Sequence, residues 1–361
     1  MKTWSWRLAR IAGIDVYVHA TFFIVVAWIG LLYWNQKGTV AAVADGIGYI
    51  LVLFGCVVLH EFGHALTAAR YGIRTRDITL LPIGGVARLE RMPDVPVQEL
   101  WVALAGPAVN VVIAFLLFVW LQVSGSWQSV DVVGVTGGGF VERIMVANLY
   151  LVGFNLLPAF PMDGGRALRA LLATRMEYTR ATARAAFVGQ GMAIVFALIG
   201  LQGNPVLILI ALFVWIGAGQ EASMTQLKSA LAGIPLRNAM MTHFQTLSAG
   251  DTLGSAVDLL LAGSQQDFPV LANGRLEGIL TRRDLMNTLT RSGRSATVGD
   301  AMKRDCPTAD ASEMLEAVLT RVQALDCRTV PVLHHGVLVG LLTMDNVGEF
   351  LMIHAAEKKM G

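Results

Sequence analysis

Residues 51–69 read Leu-Val-Leu-Phe-Gly-Cys-Val-Val-Leu-His-Glu-Phe-Gly-His-Ala-Leu-Thr-Ala-Ala. Three ionisable residues, His60, Glu61 and His64, interrupt this otherwise apolar run. About 20 predominantly apolar residues are enough for a helix to cross a bilayer. Ionisable side chains inside such a helix are costly, and they are usually paired or functional. The stretch therefore predicts a transmembrane helix that carries a polar functional cluster.

The composition supports a membrane location for the first part of the chain. Of the 361 residues, 55% are hydrophobic and 15% are charged. Soluble proteins average about 45–50% apolar and about 25% charged residues. The apolar excess lies before about residue 220, and the sequence from Lys228 onward has an ordinary globular mixture. We therefore expect a membrane-embedded half followed by a soluble half.

Six apolar segments predict a polytopic α-helical membrane protein with about six transmembrane helices. They cover residues 19–34, 47–69, 100–121, 141–157, 187–201 and 205–218. Arginine and lysine concentrate before the first segment, between the second and third, and between the fourth and fifth. Because cytoplasmic loops carry the excess of positive charge, we expect a multi-pass protein of the cell membrane with both termini and the soluble tail in the cytoplasm.

The sequence supports neither a nucleic-acid-binding site nor a zinc site built from cysteines. The sequence has no basic patch with interleaved aromatic residues, so we expect no nucleic-acid partner. The three cysteines, Cys56, Cys306 and Cys327, form no Cys-x-x-Cys pair. This spacing argues against a zinc site built from cysteines.

His60 and His64 are four residues apart and therefore share one face of the predicted helix. Two imidazoles at this spacing can occupy adjacent corners of a tetrahedral zinc ion. Glu61, beside them, can act as a general base toward water. A polar cluster that only packs helices together is the alternative.

A catalytic zinc ion needs a third protein ligand. The best candidate is Asp163, in the turn-rich stretch Asn155–Gly165 that follows another apolar segment. Irregular backbone at membrane depth is tolerated where protein buries it or where it lines a wet cavity. Asp163 is then a carboxylate delivered to such a pocket, or alternatively a turn residue that caps the next helix.

Together these two motifs resemble the site-2 protease family of intramembrane zinc metalloproteases, over about residues 10–220. The matching residues are His60-Glu61-Phe62-Gly63-His64 and the stretch Asn155–Gly165. The resemblance implies that zinc is held by His60, His64 and Asp163. It also implies that Glu61 is the catalytic base and that Asn155 helps to bind the substrate carbonyl or oxyanion. The implied substrates are membrane proteins with a transmembrane segment.

Three smaller features have both a structural and a functional interpretation. Leu81-Pro82-Ile83-Gly84-Gly85-Val86 resembles the membrane-dipping β element of the family, and a plain turn is the alternative. Asn110 lies in the third predicted span, where we favour a packing role. His19 is predicted to open the first span, either as a packing residue or as a residue near the pocket.

The soluble tail contains an internal repeat at constant offset. Phe268-Pro269-Val270 matches Val330-Pro331-Val332, and Gly278-Ile279-Leu280-Thr281 matches Gly340-Leu341-Leu342-Thr343. Each copy is predicted to fold as helix, strand, strand, helix, which resembles a tandem pair of cystathionine-β-synthase (CBS) domains, a cytosolic α+β module. The predicted division is a transmembrane metalloprotease domain over 1–223, a linker over 224–236, and CBS domains over 237–295 and 296–355.

CBS pairs often bind adenine nucleotides such as ATP or AMP between their two copies. In that family a Thr and an Asp three residues later hold the ribose, and Thr281 and Asp284 match this pattern. Thr343 matches as well, but Asn346 stands where the second acid is expected, so one effective site per chain is predicted. A ligand-free module that is structural or forms a homodimer is the alternative.

These features predict an intramembrane zinc metalloprotease, with one zinc ion per chain, whose activity is modulated by nucleotide binding to the CBS pair. The implied process is regulated intramembrane proteolysis, with peptide bonds hydrolysed within or near the transmembrane segment of the substrate. A membrane transporter or channel regulated by its CBS pair is the alternative. No inverted repeat is evident in the predicted spans, which speaks against it.

Overall fold

The computed structural model describes residues 4–82, 84–125, 138–323 and 329–360. Ile83 of the expected β element and Cys327 lie outside the described residues. Contacts divide the chain into two units, Met1–Thr225 and Gln226–Gly361.

A four-stranded sheet belongs to the first unit. Its strands are β1 (Ser5–Ile11), β2 (Ile14–His19), β3 (Thr75–Leu81) and β4 (Gly84–Leu89), which lie in that order across the sheet. The two central strands, β2 and β3, are parallel, and each edge strand is antiparallel to its neighbour. Alternate residues of β2 are buried, as expected for a strand with one face against a core.

Seven helices among the described residues complete this unit or begin in it. They are α1 (Phe22–Lys37), α2 (Val40–Arg70), α3 (Pro96–Val123), α4 (Phe140–Asn155), α5 (Asp163–Ala173), α6 (Tyr178–Gly200) and α7 (Pro205–Leu231). Helices α2, α3, α6 and α7 are long and apolar enough to cross a membrane. Helices α1 and α4 have 16 residues each, so the predicted count of about six spans is not confirmed.

The start of the first predicted span is wrong. His19 is the last residue of β2 and does not lie in a helix, which begins only at Phe22. The alternation Ile14-Asp-Val-Tyr-Val-His19 has the period of two that a half-buried strand requires, and this local pattern takes precedence over the apolar character of the longer segment. The His19 ring is hydrogen-bonded to the Thr21 hydroxyl at 2.8 Å, just before the helix.

The sheet packs on the part of α2 that carries the His-Glu-Phe-Gly-His motif. Ile14 and Val16 of β2 and Ile78 of β3 form one buried cluster with Phe62 and Ala65 of α2. Phe62 and Ala65 lie next to the polar residues of the motif along the chain. Their burial against the sheet therefore fixes which way α2 is rotated about its axis. The histidines then face α3 on the other side of the helix.

The second unit consists of two copies of one motif. The first copy contains β5 (Leu247–Ser248), α8 (Leu253–Ala262), β6 (Phe268–Ala272), β7 (Arg275–Leu280) and α9 (Arg282–Ser292). The second contains α10 (Val298–Ala301), β8 (Ala309–Asp310), α11 (Leu315–Gln323), β9 (Thr329–His334), β10 (Val337–Thr343) and α12 (Met344–Met360). The strand–strand–helix order of each copy agrees with the prediction.

The two copies are related by an approximate two-fold axis. Met241 pairs with Leu341, and the corresponding residue of the second copy, Lys303, pairs with Ile279 of the first. Each of these two pairings places a backbone segment of one copy directly over a glycine in a strand of the other copy. For example, a Cβ on Gly278 would lie 2.5 Å from the carbonyl oxygen of Lys303. The glycines of the repeated Gly-Ile-Leu-Thr and Gly-Leu-Leu-Thr stretches therefore allow the two copies to pack closely.

Candidate metal centre

Helices α2 and α5 bring together the three side chains predicted to bind zinc. The Nε2 atoms of His60 and His64 are 3.1 Å apart. Oδ2 of Asp163 lies 3.2 Å from the first and 3.1 Å from the second. All three side chains are buried. The two residues predicted from helix spacing and the one predicted from a distant turn therefore form a single cluster.

The dimensions of this triangle fit a tetrahedral metal ion. A zinc ion with ligands at about 2.0–2.1 Å separates its ligand atoms by about 3.3 Å. The observed separations of 3.1 to 3.2 Å are close to that value. Two imidazole nitrogens and one carboxylate oxygen are a donor set typical of catalytic zinc, which keeps a fourth position for water or substrate.

Gly106 of α3 leaves room for such an ion. A Cβ built on Gly106 would lie 2.2 Å from Nε2 of His64 and 2.6 Å from Nε2 of His60. Any side chain at this position would occupy the space beside the two ligand atoms. The close approach of α3 to α2 at Gly106 therefore both packs the helices and keeps the cluster accessible to a metal ion.

Hydrogen bonds fix the orientation of both imidazole rings. Nδ1 of His64 lies 2.7 Å from the carbonyl oxygen of Val102, and Nδ1 of His60 lies 2.5 Å from Oδ1 of Asn110. Because these oxygens can only accept, Nδ1 is the protonated nitrogen of each neutral ring. Nε2 then presents its lone pair to the centre of the triangle, as in most protein zinc sites.

Glu61 lies between the cluster and β4. Its Oε2 atom accepts a hydrogen bond from the backbone N–H of Ala87 at 3.1 Å. A Cβ on Gly85 would lie 2.8 Å from Cγ of Glu61, so only glycine allows this close approach of strand and side chain. The expected β element is thus a hairpin, β3–β4, whose second strand lies directly against the predicted base.

The segment before Asp163 is held by close backbone packing. Helix α4 ends at Asn155, and the Phe160–Pro161 peptide bond is cis. Ala159 and Phe160 are fully buried, and a Cβ on Gly164 would lie 2.3 Å from the carbonyl oxygen of Leu157. The N-cap of α5 is Met162, and the Asp163 carboxylate is directed to the two histidines instead of capping the helix.

The structure does not connect Asn155 with the cluster. Asn155 is the last residue of α4 and is half-buried. In the described part of the chain, no hydrogen bond joins its side chain to His60, Glu61, His64 or Asp163. Its contact with substrate therefore stays a prediction.

Two buried amides near the cluster were not predicted to act there. Asn110, for which packing was favoured, contacts His60 directly, and its Nδ2 donates to Oδ1 of Asn148 at 2.7 Å. Asn148 was missed altogether. Both side chains are fully buried in apolar helices, and an unpaired amide there would be costly, which is the signal that identifies them.

A buried ion-pair network lies at another place in the first unit. The guanidinium of Arg169 in α5 donates to Glu99 of α3 at 2.8 Å through Nε and to Glu221 of α7 at 2.5 Å through Nη1. The same group lies over the rings of Phe160 and Tyr178 at 5.1 and 5.0 Å. In the sequence Arg169 is only one of several charges between two predicted spans. In the structure it ties α3 and α7 to α5, the helix that begins with Asp163.

The second unit contains a cleft of about 950 Å³ between its two copies. Thr281 and Thr343 line it, as do Arg282, Arg283 and Lys303. Oγ1 of Thr281 donates to Oδ2 of Asp284 at 2.5 Å, and Thr343 makes the same bond to Asn346. Asp284 itself is not among the described residues that line the cleft. Its backbone N–H donates to Oγ1 of Thr281, the N-cap of α9, and its Oδ2 lies 3.4 Å from Nζ of Lys303.

Comparison with known proteins assigns both units. Residues 48–134 match the model of peptidase family M50, and residues 236–291 and 298–352 each match the CBS domain. A zinc metalloprotease of Methanocaldococcus jannaschii is 32% identical over 346 residues, which are 95% of this chain and 95% of that protein. The chain belongs to peptidase family M50. It is a membrane metalloprotease of the site-2 type with a tandem CBS pair, as the motifs predicted, and the transporter alternative has no support.

Two further comparisons cover part of the chain. Stage IV sporulation protein FB of Bacillus subtilis is 30% identical over 169 residues, 46% of this chain and 51% of that protein. The solved structure of a site-2 protease from Methanocaldococcus jannaschii matches with 39% identity and a TM-score of 0.45, over 61% of this chain and 95% of that one.

Proposed function

We propose that this M50 protein hydrolyses peptide bonds within or near the transmembrane segments of membrane-protein substrates. The observation that carries the proposal is the buried His60–His64–Asp163 triangle beside Glu61, built on a helix long enough to cross a membrane. His60, His64 and Asp163 would hold the zinc ion. When bound, zinc would polarise the scissile carbonyl and make water more acidic.

Glu61 would transfer the protons in this reaction. It follows His60 directly in the sequence, and its Oε2 is held by the N–H of Ala87. As general base it would take a proton from the attacking water, and as general acid it would return that proton to the leaving amine. Asn155 would bind the carbonyl oxygen of the scissile bond. This last role rests on the family resemblance alone.

The edge strand β4 offers a binding place for an unwound substrate. A transmembrane helix keeps its carbonyls hydrogen-bonded internally, so it must open before any bond can be cut. Strand β4 pairs with β3 on one side, and its other edge has no strand partner in the described part of the sheet. An extended substrate segment can add to such an edge, which would place its backbone beside Glu61.

The arginine-rich loops support a cytoplasmic location for both termini and for the CBS pair. The proposed division of the chain remains a protease domain over 1–223, a linker over 224–236, and CBS domains over 237–295 and 296–355. Helix α7 continues into this linker, as far as Leu231.

We also propose that the cleft between the CBS copies binds one adenine nucleotide per chain and thereby modulates proteolysis. Arg282 and Arg283 follow Thr281, whereas Met344 and Asp345 follow Thr343, so two of the cations that line the cleft belong to the first copy. A phosphate group would be recognised there by charge-assisted hydrogen bonds. Oδ2 of Asp284 accepts from the Thr281 hydroxyl, and its proposed role of accepting from the ribose rests on the family pattern, since Asp284 is not among the described residues that line the cleft.

Substrate trapping tests the proposed activity. Membranes from cells that produce the wild-type enzyme and from cells that produce Glu61→Gln are compared by quantitative proteomics. We expect single-span proteins or signal-peptide remnants to accumulate with the variant, and their identity separates the release of regulators from the removal of remnants. Equal abundance of all membrane-spanning peptides in the two samples would contradict the proposal.

A further inference from the structure

A line of hydrogen bonds runs from His60 through two buried amides to a backbone carbonyl. Nδ1 of His60 lies 2.5 Å from Oδ1 of Asn110. Nδ2 of Asn110 lies 2.7 Å from Oδ1 of Asn148, and Nδ2 of Asn148 lies 2.8 Å from the carbonyl oxygen of Ile144. The line therefore joins helices α2, α3 and α4, and its three side chains are all buried.

The far end of the line determines its direction. The carbonyl of Ile144 can only accept, so the group of Asn148 that faces it must be the NH₂. Asn148 then presents its oxygen to Asn110, and this oxygen also can only accept. Asn110 must therefore turn its own NH₂ toward Asn148, which leaves its oxygen facing His60.

The near end of the line requires the same direction. With an oxygen opposite Nδ1, His60 carries its proton on Nδ1 and has a free lone pair on Nε2, the atom that points to Asp163 and His64. If the amide of Asn110 were reversed, its NH₂ would face Nδ1, and the ring proton would move to Nε2. That proton would occupy the position of the metal ion.

The second histidine shows why His60 needs such support. Nδ1 of His64 faces the backbone carbonyl of Val102, which belongs to α3 and cannot exchange a donor for an acceptor. Asn110 is different, because rotation of its amide by half a turn exchanges NH₂ and oxygen with almost no change of shape. Only a second group with fixed polarity prevents this reversal.

We propose that Asn148 is a positioning residue of the metal centre. By accepting from Asn110 it fixes the orientation of that amide, and through the amide it fixes the tautomer of His60 that can bind zinc. The inference rests on the proposed zinc site. It assigns to α4 a part in metal binding, although none of its residues is among the three proposed ligands.

Zinc affinity of the full-length protein, measured by competition with a chelator, tests this role. Asn148→Leu keeps the number and branching of the side-chain heavy atoms and cannot accept from Asn110. Loss of such an outer partner typically lowers metal affinity by about 10- to 100-fold, and we expect a loss of that size here. Tyr150→Leu is the matched control, because Tyr150 lies on the same helix, 76% exposed, and should leave the affinity unchanged.

A second background separates positioning from packing. In Asn110→Asp both carboxylate oxygens are acceptors, so His60 keeps its Nδ1 proton whatever residue 148 offers. We therefore expect Asn148→Leu to cause little further loss of zinc affinity in the Asn110→Asp protein. An equal loss in both backgrounds, or unchanged affinity in the single variant, would overturn the proposal.

Asn148→Ser replaces Asn148→Leu in this experiment if the leucine variant does not fold. Its hydroxyl can still donate to the carbonyl of Ile144 but is too short to reach Asn110, so the same loss of zinc affinity is expected. Wild-type protein that binds no zinc at this site would contradict the proposed function. Wild-type protein that binds zinc as tightly as its Asn148 variants would contradict only the role of Asn148.

Discussion

Gly106 faces His64 so closely that a Cβ on the glycine would lie 2.2 Å from Nε2 of the histidine. The backbone of α3 is therefore part of the wall around the candidate metal site. We predict that Gly106→Ala loses zinc, because the added methyl group and the metal ion compete for one space. Zinc content of the purified variant checks this.

Gly191→Ala is the matched control for that experiment. Gly191 also lies within a long apolar helix, α6, but a Cβ there meets nothing within 4 Å. The control should bind zinc like the wild type. Full zinc occupancy in Gly106→Ala would mean that the metal lies elsewhere.

Asp163→Ala should lower zinc content and activity together, because it removes one of three ligand atoms. Metal analysis of the purified variant is the measurement. Asp94→Ala is a suitable control, since the Asp94 carboxylate is exposed and paired only with Arg91 in the described structure. If Asp163→Ala retained a full equivalent of zinc, the third ligand would have to be another residue.

The zinc ligands and their partners differ in how much of them the sequence could predict. His60 and His64 lie one helical turn apart, so their proximity follows from local geometry. Asp163 was predicted from a distant turn-rich stretch together with the family resemblance, since nothing local brings it to α2. The contact of Asn110 with His60 was not predicted, and Asn148 was missed, because their partners come from other helices and periodicity does not encode the pairing of helices.

The fold shows the same division between local and long-range information. The predicted apolar helices and the repeat of the second unit follow from hydrophobic pattern and internal similarity. Strands β1 and β2 were not predicted, because the apolar residues near His19 were joined with the following helix. The parallel pairing of β2 with β3 connects residues on either side of α1 and α2, and no short pattern reveals it.

Arg169→Met should strongly destabilise the membrane unit. The substitution leaves the carboxylates of Glu99 and Glu221 without their common partner, and breaking a buried ion pair costs about 3–5 kcal/mol. Unfolding of the detergent-solubilised protein measures the change. Adding Glu99→Gln to the Arg169→Met protein removes one of the two unpaired negative charges and should recover part of the lost stability.

The control for Arg169 is Arg180→Met. Arg180 pairs with Glu177 at 3.7 Å, but both side chains are well exposed, and such pairs contribute about 0–1 kcal/mol. A loss of stability in Arg169→Met no larger than in Arg180→Met would show that the buried network is not what holds α3, α5 and α7 together.

Calorimetry with ATP and AMP on the full-length protein should detect one nucleotide per chain. Loss of a hydrogen bond to a charged group costs enough to weaken binding by about 10- to 100-fold, and we expect this for Asp284→Ala. Asn346→Ala, at the equivalent position of the second copy, should have a smaller effect. Absence of heat with both nucleotides, or equal binding by Asp284→Ala, would favour a purely structural or dimerising CBS pair.

Cleavage by Glu61→Gln tests the central claim most directly. The substitution keeps the size of the side chain and its oxygen acceptor for Ala87, but it removes the base. We predict zinc content equal to that of the wild type together with a loss of peptide-bond cleavage of about 10²- to 10⁴-fold, measured with a purified single-span substrate. Near-normal turnover by Glu61→Gln would contradict the assignment of this cluster as the proteolytic site.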